Sequence, residues 1–221
     1  MRVTKSKTSA PFLWCGVATS ELGAPELARL EDVLDDEERA RIVRLRAAPL
    51  RRDSTAAHGL CRVLLAAFTG RPAHSFRFYR DKSGAKPRAE GLLQIDFSLT
   101  HCHGYAAAAA GAFGRIGIDA EPLDRRVEPE LVAGNSGTPY EGAAGTVIAW
   151  TLKEALSKAE GSGLGLGFSR LDVEINPPRL LAAPDSFGNP AGWKLERHCH
   201  AGFTIAIAFG PRGAGGPHGP H

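Results

Sequence analysis

Cysteine is scarce in this chain: Cys15, Cys61, Cys102 and Cys199 are the four in 221 residues, widely spaced and without a CxxC pair. That excludes a disulfide framework, which small secreted domains build from dense sets of cysteines. Long apolar runs are missing too, and nothing approaches the ~20 residues of a membrane span. The apolar run from Pro11 to Ala18 is broken by Gly16 and leads into acidic helical sequence rather than a cleavage site, so no secretory leader is expected. A cytoplasmic chain without membrane contact is the expectation. Charge of one sign is also lacking: 27 basic against 24 acidic residues give +3. That is too mild for nucleic-acid binding across the surface, and it leaves room for a local basic pocket.

What is present is enough for a core. Hydrophobic residues make up 43% and charged residues 23%, which excludes general disorder and allows one large domain or two small ones. Helical spacing predicts one helix over Glu26–Leu45 and a second over Arg52–Thr69, closed by Gly70. Alternation predicts a strand at Ser75–Arg80, and strands are also expected at Ile95–Thr100, at Tyr105–Phe113, whose alanine-rich run fits a tightly covered strand, and at Ile116–Glu121. The segment Asp81–Gly84 reads as a turn. A helix over Trp150–Glu160 is broken by Gly161–Gly167, and Leu171–Ile175 and Trp193–Phe209 supply the last strands. The tail from Pro211 to His221 has nothing to build a core and is expected to be disordered. The segment THCHGYAAAAAGAFG (100–114) is echoed by RHCHAGFTIAIAFG (197–210). The echo predicts two similar α+β halves, 1–113 and 114–210, followed by the tail 211–221.

Four features carry chemistry. In Gly117-Ile118-Asp119-Ala120-Glu121, alternate residues share a strand face, so the two acids point together while Ile118 and Ala120 face the core. Two such carboxylates repel by about 4 kcal/mol at 4 Å for an effective dielectric near 20. A divalent cation removes that penalty, and oxygen donors suit Mg2+. The plain alternative is a strand end with two solvated acids. In Trp150-Thr151-Leu152-Lys153-Glu154-Ala155-Leu156-Ser157-Lys158, Glu154 and Lys158 share one helix face opposite the Leu152/Leu156 stripe, which is also what an ordinary surface ion pair looks like. Thr100-His101 ends a strand in a hydroxyl and an imidazole. Arg80 to Lys86 is a basic turn that suits phosphate, or a solvated hairpin loop.

Taken in order, Gly84-Ala85-Lys86-Pro87, Thr100-His101, Gly117 to Glu121 and Trp150 to Lys158 resemble the 4'-phosphopantetheinyl transferases of the surfactin-synthetase-activator type. The resemblance runs from about Glu37 to Phe209. It implies an α+β pseudo-dimer with the active site between its halves, and a monomer. It implies transfer of the phosphopantetheine arm of coenzyme A to a serine of an apo acyl or peptidyl carrier protein. Asp119, Glu121 and Glu154 would hold Mg2+, with Mn2+ as a substitute. Glu154 would also take the serine proton, and Lys158 and Lys153 would stabilise the leaving charge. Arg44, Arg52, Arg80, Lys82, Lys86, Thr100, His101 and Lys158 would contact coenzyme A. Three departures stand out: Thr100 where the family has serine, the extra Ala85, and a short connection, Val127 to Ala149, that reads as loop where relatives carry a helical insert. The alternatives are zinc binding by His101, His103, His198 and His200, and a non-catalytic protein that binds coenzyme A or a carrier.

Overall fold

The computed structural model describes residues 11–80, 86–134, 140–161 and 167–212. The basic-turn residues 81–85, Lys82 among them, lie outside these, as does the tail from 213. Strand β1 (Phe12–Ala18), a short 3-10 turn and helices α1 (Ala24–Asp32) and α2 (Asp36–Val43) lead into the long helix α3 (Ala48–Thr69). The single helix expected over Glu26–Leu45 is therefore two. Asp35 breaks it by capping α2: its side chain accepts from Glu38 N while Glu38 accepts from Asp35 N, a reciprocal box that satisfies the first free amides of a helix. Helix α3 starts with Pro49 in its first turn and stops at Gly70, whose φ of +74° is the left-handed conformation a glycine permits.

Short strands β2 (Phe78–Tyr79) and β3 (Arg88–Ala89) pair with one another and replace the strand expected over Ser75–Arg80. Strands β4 (Ile95–Cys102), β5 (Tyr105–Ala112) and β6 (Gly114–Pro122) follow. After them come the short helix α4 (Pro129–Val132), helix α5 (Gly142–Glu160), strands β7 (Asp172–Ile175) and β8 (Pro178–Ala182), and the hairpin β9 (Lys194–His200) and β10 (Phe203–Pro211). Helix α5 begins at Gly142 rather than Trp150, so part of the connection expected as loop is helix. Among the described residues no helix is long and apolar enough to cross a membrane.

The result is a mixed α+β fold with two three-stranded antiparallel sheets, ordered β1-β5-β4 and β6-β10-β9. Each is wound the same way: the first strand of the sheet in sequence pairs with the last, and the last with the one before it. The two His-Cys-His segments fall on equivalent hairpins, turned at Gly104 (φ +87°) and at Ala201-Gly202 (φ +48° and +83°). One face of the first sheet packs Cys15, Val17, Ala106, Ala108 and Ala110 under Ala56, Ala57, Leu60 and Leu64 of α3. Its other face meets the second sheet through Phe12, Trp14, Ala107 and Ala109 against Ile116, Ile118, Ile205 and Ile207. The far face of the second sheet carries Ala206 and Ala208 under Leu152 and Leu156 of α5. The layers therefore run helix, sheet, sheet, helix. Alanine-rich β5 can sit between two such layers because its side chains are small on both faces. Gly117 brings α5 closest, since a Cβ there would lie 1.9 Å from the Ala155 carbonyl oxygen.

Candidate functional site

The alternation of β6 sorts its residues as the sequence indicates. Ile118 and Ala120 are buried between the sheets, so Asp119 and Glu121 face the other way, toward α5. One turn inside the C-terminus of α5, Lys158 reaches across to β6, and β4 brings Thr100 alongside. Lys158 Nζ donates to Asp119 Oδ1 at 2.6 Å and lies 3.0 Å from Thr100 Oγ1, while Thr100 Oγ1 donates to the same Asp119 oxygen at 2.9 Å. Asp119 is 4% exposed, and its second oxygen, Oδ2, is buried with no hydrogen-bond partner. A buried carboxylate normally satisfies both oxygens, and Oδ2 is an acceptor that nothing among the described residues fills.

The neighbouring acids deepen the negative field. Glu121 pairs through Oε1 with Arg125, whose guanidinium lies 4.9 Å from the centre of the Trp150 ring. Burial, then the charge of Asp119, lifts the Glu121 carboxyl against Arg125 and Lys158. Glu154 is lifted further, to about 7, first by burial and then by Asp119 and Glu121, with Lys158 and Arg125 opposing. Among the described residues no three His, Cys, Asp or Glu side chains gather around one point as a preformed cage. Asp119, Glu121 and Glu154 share a field rather than a coordination sphere. The donor set still fits Mg2+, which takes few carboxylates and fills its shell with water and substrate phosphate. The orphaned Asp119 oxygen is the open donor.

The raised Glu154 has a sign that can be checked. Below pH 4.5, its ordinary value, the carboxyl is protonated in both folded and unfolded chains. Between there and about 7 the folded chain keeps a proton that the unfolded chain gives up, so stability falls as pH rises through this window. In the metal-free protein Glu154→Gln should therefore melt above wild type at pH 8, with the gap closing by pH 4.5. Melting curves at the two pH values measure this, and a gap independent of pH would contradict it.

Lys158 also lines a cavity of about 450 Å³ whose walls include Arg41, His58, Tyr79, Arg80, Lys86 and Ser98. Arg80 and Lys86, two of the residues expected to contact phosphate, both line it. Lys86 Nζ donates to Asp96 Oδ2 at 2.6 Å and to the Ile116 carbonyl, which ties the first sheet's edge to β6. Burial lowers its pKa and Asp96 opposes that shift. His101 does not line the cavity. It lies within electrostatic reach of His58, Asp53 and Lys158, and burial lowers its pKa, with His58 adding and Asp53 opposing.

Three expected site residues are placed elsewhere. Lys153 is fully buried and donates to the carbonyls of Val132 at 2.7 Å and Phe168 at 3.0 Å. It pins α4 and the 167–170 turn to α5 and adds no charge at Asp119. Its burial brings its pKa down to about 8, with Asp172 opposing. Arg52 donates to the carbonyls of Thr19 and Leu22, so it braces the segment after β1. Arg44 is exposed at the end of α2 and does not line the cavity, whereas Arg41, one turn earlier, does. Lys153→Met should cost about 2–3 kcal/mol, because two buried carbonyls lose their donor. The melting point should drop accordingly, and a melting point equal to wild type would show that these two contacts contribute little.

The histidines considered for zinc are dispersed. His103 lies in the turn beyond β4, His198 pairs with Glu196 at 3.2 Å and sits 4.6 Å from the Trp14 ring, and His200 faces Glu21 at 3.8 Å. Sequence reasoning missed the network of Asp35, Glu38, His58 and Arg62. Its signals were the D-x-x-E box at Asp35 and the four-residue spacing of His58 and Arg62. No family model matches this chain, and no curated protein matches it significantly.

Proposed function

We propose that the chain is a 4'-phosphopantetheinyl transferase, moving the phosphopantetheine arm of coenzyme A to a serine of an apo acyl or peptidyl carrier protein with release of 3',5'-ADP. The observation that carries this reading is the junction of Thr100, Asp119 and Lys158, with one Asp119 oxygen orphaned; Lys158 also lines the cavity that holds Arg41, Arg80 and Lys86 beside the acids Asp35, Glu37 and Glu38. The motifs that resemble the family supply the residues of that junction. In this reading the two helix-covered sheets are the halves of a pseudo-dimer. The first half contributes Thr100 and the second contributes Asp119 and Lys158.

The chain's own residues have definable work. The serine oxygen attacks the β-phosphorus, the bond from that phosphorus to the oxygen of 3',5'-ADP breaks, and the serine proton must leave. Glu154, with its carboxyl near 7, is matched to take that proton at neutral pH. Lys158 presents a fixed ammonium to charge developing on the leaving phosphate, and Asp119 with Thr100 holds it in place. Arg80 and Lys86 favour the phosphates of the donor. Asp119, Glu121 and Glu154 are the residues that would hold Mg2+ or Mn2+, which when bound neutralises pyrophosphate charge and polarises the reacting phosphorus.

The test is incubation with coenzyme A, Mg2+ and a panel of apo-carriers, read by intact mass. A carrier gaining one phosphopantetheine group, only with the metal present, supports the reading. No gain on any fatty-acid, polyketide or peptide carrier overturns it.

A further inference from the structure

One residue of the cavity is held in a way the chemistry above does not use. His58 sits on α3 four residues before Arg62, so both side chains leave the same side of the helix. Arg62 Nε donates to Glu38 Oε2 at 2.7 Å, and the other Glu38 oxygen, Oε1, meets His58 Nδ1 at 2.9 Å. Glu38 is 1% exposed. Burial would lift its carboxyl, but His58 and Arg62 outweigh that and hold it below its ordinary range. An ionised Glu38 fixes the tautomer, with the hydrogen on Nδ1 donated to Oε1. Nε2 then carries a lone pair and has no partner among the described residues. The His58 side chain is 22% exposed and lines the cavity. Among the described residues, the other charged or titratable groups of the cavity are Asp35 before α2, Glu37 and Arg41 from α2, Tyr79, Arg80 and Lys86 from the β2–β3 segment and Lys158 from α5, and His101 of β4 lies within electrostatic reach.

A lone pair is the wrong group to meet a phosphate dianion, which offers only acceptors. The mismatch disappears if Nε2 takes a proton from solvent. The imidazolium donates to a phosphate oxygen on one side and is balanced by Glu38 on the other, a charge-assisted pair at each nitrogen. We propose that His58 is a proton-coupled anion-binding residue: entry of a phosphate monoester into the cavity is accompanied by uptake of one proton from water at His58 Nε2. This rests on the coenzyme A reading for its natural ligand, since coenzyme A and 3',5'-ADP both carry such a phosphate.

The experiment is calorimetric titration at pH 7.5 in two buffers of different ionisation heat, with 3',5'-ADP and separately with inorganic phosphate. His58→Asn is the main variant, because its amide can still donate to Glu38 while Nε2 is gone; His58→Gln serves the same purpose should the first melt early. Wild type should take up a proton on binding, so that the apparent binding heat differs between the two buffers. The variants should lose most of that uptake and bind about tenfold or more weakly. Unchanged uptake and affinity in both variants overturn the inference while leaving the transferase reading intact. If phosphate alone binds, with uptake lost in the variants, the inference stands and the coenzyme A reading falls. If neither ligand binds wild type, both fall.

Discussion

If the proposed transfer is this chain's reaction, Asp119→Asn should reduce it about 10³-fold at saturating coenzyme A while the chain stays folded. The substitution keeps the shape and an oxygen able to accept from Lys158 Nζ, now 2.6 Å from Oδ1, and from Thr100 at 2.9 Å. What changes is charge and polarity at the second atom. The orphaned Oδ2 becomes an amide nitrogen, so a donor is aimed where a cation or polar ligand is expected. Loss of one preorganised electrostatic group of this kind commonly costs 10²–10³ in rate. The folded state gains as well as loses: repulsion toward Glu121 and Glu154 is relieved, while the pair with Lys158 weakens. A small net change in melting point is therefore expected. The Glu154 carboxyl should also fall from about 7 toward its ordinary range, because the Asp119 charge is its second cause. Lys158→Met combined with Asp119→Asn should be far less than additive, since the two groups act as one unit. A near-normal rate for Asp119→Asn at saturating Mg2+ would sink the assignment of this site.

Legibility in the sequence followed the range of the signal. On β6 the period of two sorted Ile118 and Ala120 from Asp119 and Glu121, and the alanine run of β5 fitted a tightly covered strand. Both are local patterns that the fold has no reason to override. Strand β1 was hidden because Phe12–Ala18 is an apolar run of ambiguous length, and pairing with β5 decides it. The early start of α5 ran against propensity, since Gly142, Gly145 and Thr146 are poor helix formers. Burial of Gly145, Val147 and Ala149 outweighs that. At the site, the four-residue spacing of Glu154 and Lys158 was readable, and the fate of Lys153 was not. Its partners, the carbonyls of Val132 and Phe168, are backbone atoms distant in sequence and leave no side-chain pattern to read. The partners of Arg52, the carbonyls of Thr19 and Leu22, are backbone atoms of the same kind.

The largest stability loss is expected from Arg62→Met, at about 3–5 kcal/mol. Arg62 is 0% exposed, and every arm of its guanidinium is occupied. Nε binds Glu38 Oε2 at 2.7 Å, Nη2 binds Asp35 Oδ2 at 2.5 Å, and Nη1 reaches the carbonyls of Ala73 at 3.2 Å and Phe76 at 3.1 Å. The guanidinium also lies 4.7 Å from the centre of the Phe78 ring. Methionine keeps much of the volume and none of the donors. Two carbonyls then lose a partner, and the buried Glu38 carboxylate keeps only His58 and the Asp35 amide. For a chain of this size the loss corresponds to a fall of about 10 °C in melting point. The sign with pH follows from Glu38, whose folded pKa is lowered. Its stabilising contribution is present above its ordinary value of 4.5 and lost as pH falls through the folded value. The deficit of the variant should therefore shrink in acid. Pairing the change with Glu38→Gln should recover part of the loss at pH 7, because no unpaired charge is left buried. Denaturant unfolding at pH 7 and in acid measures both variants against wild type. A deficit below about 1 kcal/mol, the same at both pH values, would mean that the network contributes little.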